Sequence, residues 1–179
     1  MASTMCRAAF LALAVIALSF LPALAKDQNC VYTVYVRTGS IWKSGTDSSI
    51  SVEFYDSKYN SLFISNLTGW GGNLQGQDRD YFEGGALDIF SGLGDCLSYP
   101  ICGMNLTSDG KGPNHGWYVN YVEVTQTGAH LNCTQHEFTV DRWLATDTYP
   151  YSLTYDTDEC ADSESKKAIK ECGKSQSAR

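Results

Sequence analysis

Oxygen donors on loops are the chemistry this sequence offers. Gly39 and Asp47 fall in one interstrand segment, Asp109 and Asn114 in another. Calcium takes roughly six to eight oxygens from carboxylates, amides and carbonyls, in irregular geometry. Gly39, through its carbonyl, with Asp47, Asp109 and Asn114, is therefore a candidate Ca2+ ligand set. Asp78 and Asp80 lie beside a third loop. The plainer role of Asp47 and Asp109 is turn formation.

Two loop tryptophans add a second chemistry. Trp42 and Trp70 stand among glycines and polar residues. An indole at a loop tip suits a membrane interface, so both are candidate lipid contacts. Burial against the fold is the competing fate, and it weighs more on Trp70. Trp117 and Trp143 are assigned to the core or its margin.

Catalytic signatures are missing. There is no G-x-S-x-G, H-E-x-x-H, Walker loop or dinucleotide fingerprint. His115, His130 and His136 do not pair by spacing with a nucleophile. A carboxylate pair of the glycosidase kind is not excluded by counting, so a hydrolase stays as the weakest alternative. The expectation is a non-enzyme.

The chain carries 13 Lys and Arg against 20 Asp and Glu, a net charge of −7. The last residues, 161–179, are basic on balance, so the body is more acidic than the whole. An acidic body argues against nucleic acid, whose binders cluster Lys and Arg. It also disfavours simple electrostatic docking on anionic lipid, unless a divalent cation bridges the two.

Met1 to Ala25 reads as a secretory signal peptide. Arg7 is its basic start, Ala8–Leu21 its apolar run, and Ala23-Leu24-Ala25 a small-x-small cleavage site. The apolar run is too short for a transmembrane segment. Residues 26–160 form one domain and 161–179 a short helical or disordered tail. The implied compartment is the secretory pathway: extracellular space, apoplast or endoplasmic reticulum. Six cysteines then remain, Cys30, Cys96, Cys102, Cys133, Cys160 and Cys172, and an even number after export implies disulfides. A local Cys96–Cys102 loop and a Cys30–Cys160 clip are both plausible, and sequence decides neither. Asn66, Asn105 and Asn132 begin sequons and are candidate N-glycosylation sites.

The elements that must hold these loops are strands. Val31–Thr38 alternates, with Tyr32, Val34, Val36 and Thr38 on one face. Ser49–Tyr55 and Leu62–Ile64 follow. Asn66–Arg79 reads as a long glycine-rich loop, Asp80–Phe90 as one or two strands, and Gly92–Cys102 as a crossing loop. Ile101–Leu106, Trp117–Thr125, Glu137–Val140 and Tyr151–Tyr155 complete the set, and Asp141–Ala145 reads as a helical turn capped by Asp141. Roughly eight short strands between turn signals mean an all-β antiparallel sandwich.

Three segments in order carry a family resemblance. They are Tyr32–Gly39 with Gly45-Thr46-Asp47 and Ile50–Phe54, then Gly116–Val124, then Phe138–Leu144. The chain resembles a PLAT, or lipoxygenase-homology, domain, and within that family the short secreted plant proteins associated with abiotic stress and embryos. The resemblance implies two four-stranded sheets and a monomeric, non-catalytic module that binds a membrane lipid or a protein partner, sometimes with calcium. It places calcium on Gly39, Asp47 and Asp109, with Asn114 beside them, and lipid contact on Trp42. The alternative function is a protein adaptor of the secretory pathway. One departure is local: the family's Asp-Arg pair in the tryptophan strand is Asn120-Tyr121 here.

Overall fold

The computed structural model describes residues 29–76, 78–129 and 131–160, with the backbone of Lys170–Glu171. The signal-peptide segment, Cys172 and most of the tail lie outside the described residues.

The strands are β1 (Asn29–Thr38), β2 (Ile50–Asp56), β3 (Ser61–Ile64), β4 (Leu87–Asp95), β5 (Ile101–Ser108), β6 (Trp117–Thr127), β7 (Thr134–Leu144), β8 (Thr154–Asp158) and the short β9 (Lys170–Glu171). They form two antiparallel sheets, ordered β4-β1-β6-β7-β9 and β3-β2-β5-β8. The expected sandwich of two four-stranded layers is present, and a two-residue strand from the tail extends one edge. The rest of the tail, expected to be helical or disordered, lies outside the described residues.

Alternation does what period two requires. In β1, Tyr32, Val34, Val36 and Thr38 are buried. From the facing layer Ile50, Val52, Phe54, Met104 and Leu106 meet them. Phe54 and Phe138 stack across the layers at 6.3 Å. Each fully buried side chain of this size contributes about 1.5–3 kcal/mol. Trp117 is fully buried, and its indole N–H donates to Thr38 Oγ1 at 3.0 Å.

Four expectations are corrected. The glycine-rich stretch after Asn66 contains a helix, α1 (Leu67–Gly71), and a 3-10 turn (Gly72–Gln75). Asn66 Oδ1 caps α1 by accepting from the Gly69 N–H at 3.0 Å. Asp80–Ala86 is not strand, and β4 begins at Leu87 and runs on to Asp95, into the stretch read as a crossing loop. Asp141 does not cap a helical turn. It sits inside β7 at a positive φ of 44°, opposite a register shift, and accepts from Asn120 Nδ2 at 2.9 Å. Asn120, the local departure in the tryptophan strand, is thus tied to the neighbouring strand by its side-chain amide.

The disulfides correct a fourth reading. Cys30 bonds to Cys96 and Cys102 to Cys160. Each joins neighbours within one sheet, since β1 pairs β4 and β5 pairs β8. The Cys96–Cys102 and Cys30–Cys160 pairings would each have to cross from one layer to the other. Cys133 is disulfide-bonded as well.

Candidate functional site

One end of the sandwich gathers the β1–β2 loop, the segment between the 3-10 turn and β4, and the β5–β6 loop. The β1–β2 loop is stapled to β6. Gly39 N–H donates to the Tyr118 carbonyl at 2.8 Å, and Tyr118 N–H donates to the Ser44 carbonyl at 3.0 Å. The four residues between must bulge outward, and Lys43 takes a left-handed φ of 60° to turn the tip. Trp42 is consequently 86% exposed, with Ile41 exposed beside it.

Asp47 follows on the same loop. Its N–H donates to the Asn114 carbonyl at 3.3 Å, and Asn114 Nδ2 donates to Asp47 Oδ2 at 3.1 Å. Asn114 thus positions Asp47. Both Asn114 and Trp42 line a cleft of about 420 Å3 with Lys43, His115, Trp143 and Asp147.

The third loop is built from the inside. Asp88 is fully buried at the start of β4. Its Oδ1 accepts from Arg79 Nη2 at 2.6 Å and its Oδ2 from the Phe82 N–H at 2.7 Å. These bonds hold Phe82 at a φ of 62° while its ring enters the core and meets Trp117 edge-on at 5.2 Å. A left-handed aromatic persists only where its surroundings over-determine it. The consequence is that the flanking Asp80 and Glu83 point to solvent. Thr46 N–H donates to the Phe82 carbonyl at 3.2 Å and draws the two loops together.

Carboxylate oxygens of Asp47, Asp80 and Glu83 lie within 4.8 Å of one another, all three residues exposed. Among the described residues, the side chains of Asp80 and Glu83 make no hydrogen bond or ion pair. Three hard anionic donors with no internal counter-charge fit calcium in donor type, charge and flexibility.

The sequence candidates fare differently. Asp47 joins this group, and Asn114 supports it. The Gly39 carbonyl is buried and accepts from Gly85 N–H at 2.7 Å and from the Ser44 hydroxyl, so its lone pairs serve the loop. Asp109 shares the same end, but its Oδ1 accepts from the Ser49 and Lys111 N–H groups, each at 3.1 Å. It acts as the turn former. Trp70 is not at the tip. It sits half-buried in α1 against β4, where a Cβ on Gly92 would come within 2.4 Å of its ring. Asp80, placed beside a third loop by the sequence, stays outside the expected ligand set, and Glu83 goes unnoticed, because the segment reads as strand. The Gly84-Gly85 break after Glu83 was the available signal.

Asn66, Asn105 and Asn132 are each reachable from solvent. Asn66 and Asn132 are exposed, and Asn105 is half-exposed on the outer face of β5. Among the described residues no helix is long and apolar enough to cross a membrane.

Comparison with known proteins agrees with this architecture. A family model described as "Embryo-specific protein 3, (ATS3)" matches residues 17–160. PLAT domain-containing protein 1 of Arabidopsis thaliana is 57% identical over 134 residues, covering 75% of this chain and 74% of the relative. PLAT domain-containing protein 2 of the same plant is 53% identical over 139 residues, 77% of this chain and 75% of the relative. Among solved structures, a coral 8R-lipoxygenase described as calcium-activated via a C2-like domain aligns with a TM-score of 0.50 at 20% identity. It covers 72% of this chain but 16% of that chain, so the likeness is one of fold in a single domain.

Proposed function

This chain belongs to the embryo-specific protein 3 (ATS3) family of PLAT-domain proteins, and on that premise we propose that it is a calcium-dependent, non-catalytic lipid-docking module. One observation carries the reading: three uncompensated carboxylates share an end of the sandwich with a fully presented indole. Calcium on Asp47, Asp80 and Glu83 would turn a repelling edge into one that accepts a lipid phosphate. Trp42 and Ile41 would then enter the interface, where an indole is favoured. Neither half suffices alone, because an acidic edge repels anionic lipid. The calcium activation described for the coral lipoxygenase is consistent with this use of the fold.

The module acts after export. The disulfides support a secretory compartment, the apoplast or the endoplasmic reticulum lumen. Residues 26–160 are the working domain, and Asn66, Asn105 and Asn132 are its candidate N-glycosylation sites. The family's description supports a role in the embryo, and a stress role is proposed beside it.

The deciding experiment is co-sedimentation with vesicles of mixed phosphatidylcholine and phosphatidylserine, in calcium and in chelator. Binding in calcium that vanishes in chelator, and falls with Trp42→Ala, supports the reading. Equal, negligible binding in every arm refutes it.

A further inference from the structure

We propose that the outer face of the β3-β2-β5-β8 sheet docks an extended, arginine- or lysine-bearing protein segment. The Tyr55–Tyr59 ring pair is its floor, and Glu53, Asp156 and Asp158 supply the counter-charges. The face is independent of the calcium edge.

Register assembles it. Glu53, Asn105 and Asp156 form one row across β2, β5 and β8, and Tyr55, Gly103 and Asp158 form the next. Residues of a row project to the same side of a sheet, here away from the core. Gly103 makes room: a Cβ there would lie 2.0 Å from Tyr55 Cε2. The Tyr55 ring can therefore lie across β5 and donate its hydroxyl to the Thr157 carbonyl at 3.1 Å. Tyr59 stacks on it, with centroids 5.8 Å apart and planes inclined by 24°.

Tyr59 is held there against its backbone preference. It is 71% exposed yet sits at a φ of 59°. Fully buried Asp56 enforces this. Its carbonyl accepts from the Tyr59 N–H at 2.9 Å, and its Oδ1 accepts from the Lys58 and Asn60 N–H groups at 2.8 and 3.1 Å. A turn that strains a bulky residue in order to show its ring to water indicates use of the ring. Phe63, opposite Glu53 and 63% exposed, extends the platform.

The charge selects the occupant. Among the described residues, Glu53, Asp156 and Asp158 take part in no ion pair. Burial first, then the charges of Asp156 and Asp158, push the Tyr55 phenol up to about 12. Glu53 and Asp156 are two strand spacings apart, roughly 9–10 Å, too far to share one ion. Separated carboxylates beside ring faces instead suit several cations along one extended chain. Guanidinium and ammonium groups both pair with carboxylates and stack on aromatic faces.

Asn105 is a sequon residue in the middle of this face, so the test uses the full chain with Asn105→Gln, leaving no glycan there. Binding of fluorescein-labelled oligo-arginine is followed by anisotropy in chelator. Tyr59→Asn, which tolerates the left-handed turn, and paired Asp156→Asn with Asp158→Asn should each weaken binding about fivefold or more. Paired Asp80→Asn with Glu83→Gln should leave it within about twofold, and labelled oligo-glutamate should not bind. Equal loss in both acidic pairs would mean bulk charge attraction and overturn the proposal. So would binding insensitive to Tyr59→Asn, or no binding of oligo-arginine. None of these outcomes bears on the calcium edge, which the chelator silences.

Discussion

The Thr46 N–H donates to the Phe82 carbonyl at 3.2 Å, and this bond joins the strand-connecting loop that carries Asp47 to the one that carries Asp80 and Glu83. Thr46 also donates through Oγ1 to the Asn114 carbonyl at 2.7 Å. A single buried threonine thus ties all three loops of the edge, which explains how residues far apart in sequence present carboxylates as one group.

Calcium affinity should follow that group and not the wider acidic rim. In calorimetric titration, Asp80→Asn or Glu83→Gln should weaken calcium binding about tenfold or more, equivalent to about 1.4 kcal/mol. Asp109→Asn should leave the heats intact, since its carboxylate serves Ser49 and Lys111 N–H groups. Undiminished heats in the Asp80 and Glu83 variants would remove the site.

Sequence reading reached the layers, the leading strand face and the shared end of Asp47 and Asp109, because period-two alternation is local information. It named Asp80 beside a third loop without joining it to the ligand set, and missed Glu83, because their grouping depends on Phe82 at a positive φ, enforced by Asp88 from beyond the turn. Nothing in a tyrosine-phenylalanine pair announces a left-handed backbone. The disulfide pairing was equally hidden: it follows from which strands share a sheet, and that is a long-range property. Trp70 looked like a loop residue because α1 is only five residues long, too short to show helical periodicity.

The two candidate lipid tryptophans should separate cleanly. Trp42→Ala should change stability by no more than about 0.5 kcal/mol while lowering vesicle binding in calcium. Trp70→Ala should cost about 2 kcal/mol or more, because its ring fills the space over Gly92. Urea unfolding followed by circular dichroism distinguishes them. A destabilised Trp42→Ala would contradict the staple between Gly39, Ser44 and Tyr118.

Asp88→Ala should be severe for both fold and site. It strands the Arg79 guanidinium and the Phe82 N–H, and removing one partner of such a buried pair costs about 3–5 kcal/mol. Calcium heats should disappear at temperatures where the variant is still folded. A stable variant with normal calcium binding would show that Phe82 needs no such anchor.

Alkaline pH gives a further check. The Tyr55 phenol is pushed up to about 12 in the folded state, while the unfolded chain ionises near 10. Between those values the unfolded state loses its proton first, so the stability Tyr55 contributes is present below pH 10 and declines towards pH 12. Tyr55→Phe should flatten that part of the decline in urea midpoints measured from pH 9 to 12. An unchanged slope would show that Tyr32, also raised by burial, or other groups account for it.

The edge-on contact between Phe82 and Trp117 also makes the molecule its own optical gauge. An ion seated beside Phe82 must tug on a ring that touches a fully enclosed indole, so the blue, water-shielded component of emission should respond to calcium. Trp42, exposed on the solvent side, should emit at longer wavelength and would report lipid arrival. Compared with Trp42→Phe, in which Trp70, Trp117 and Trp143 alone emit, occupancy and docking could then be separated in one cuvette without a label.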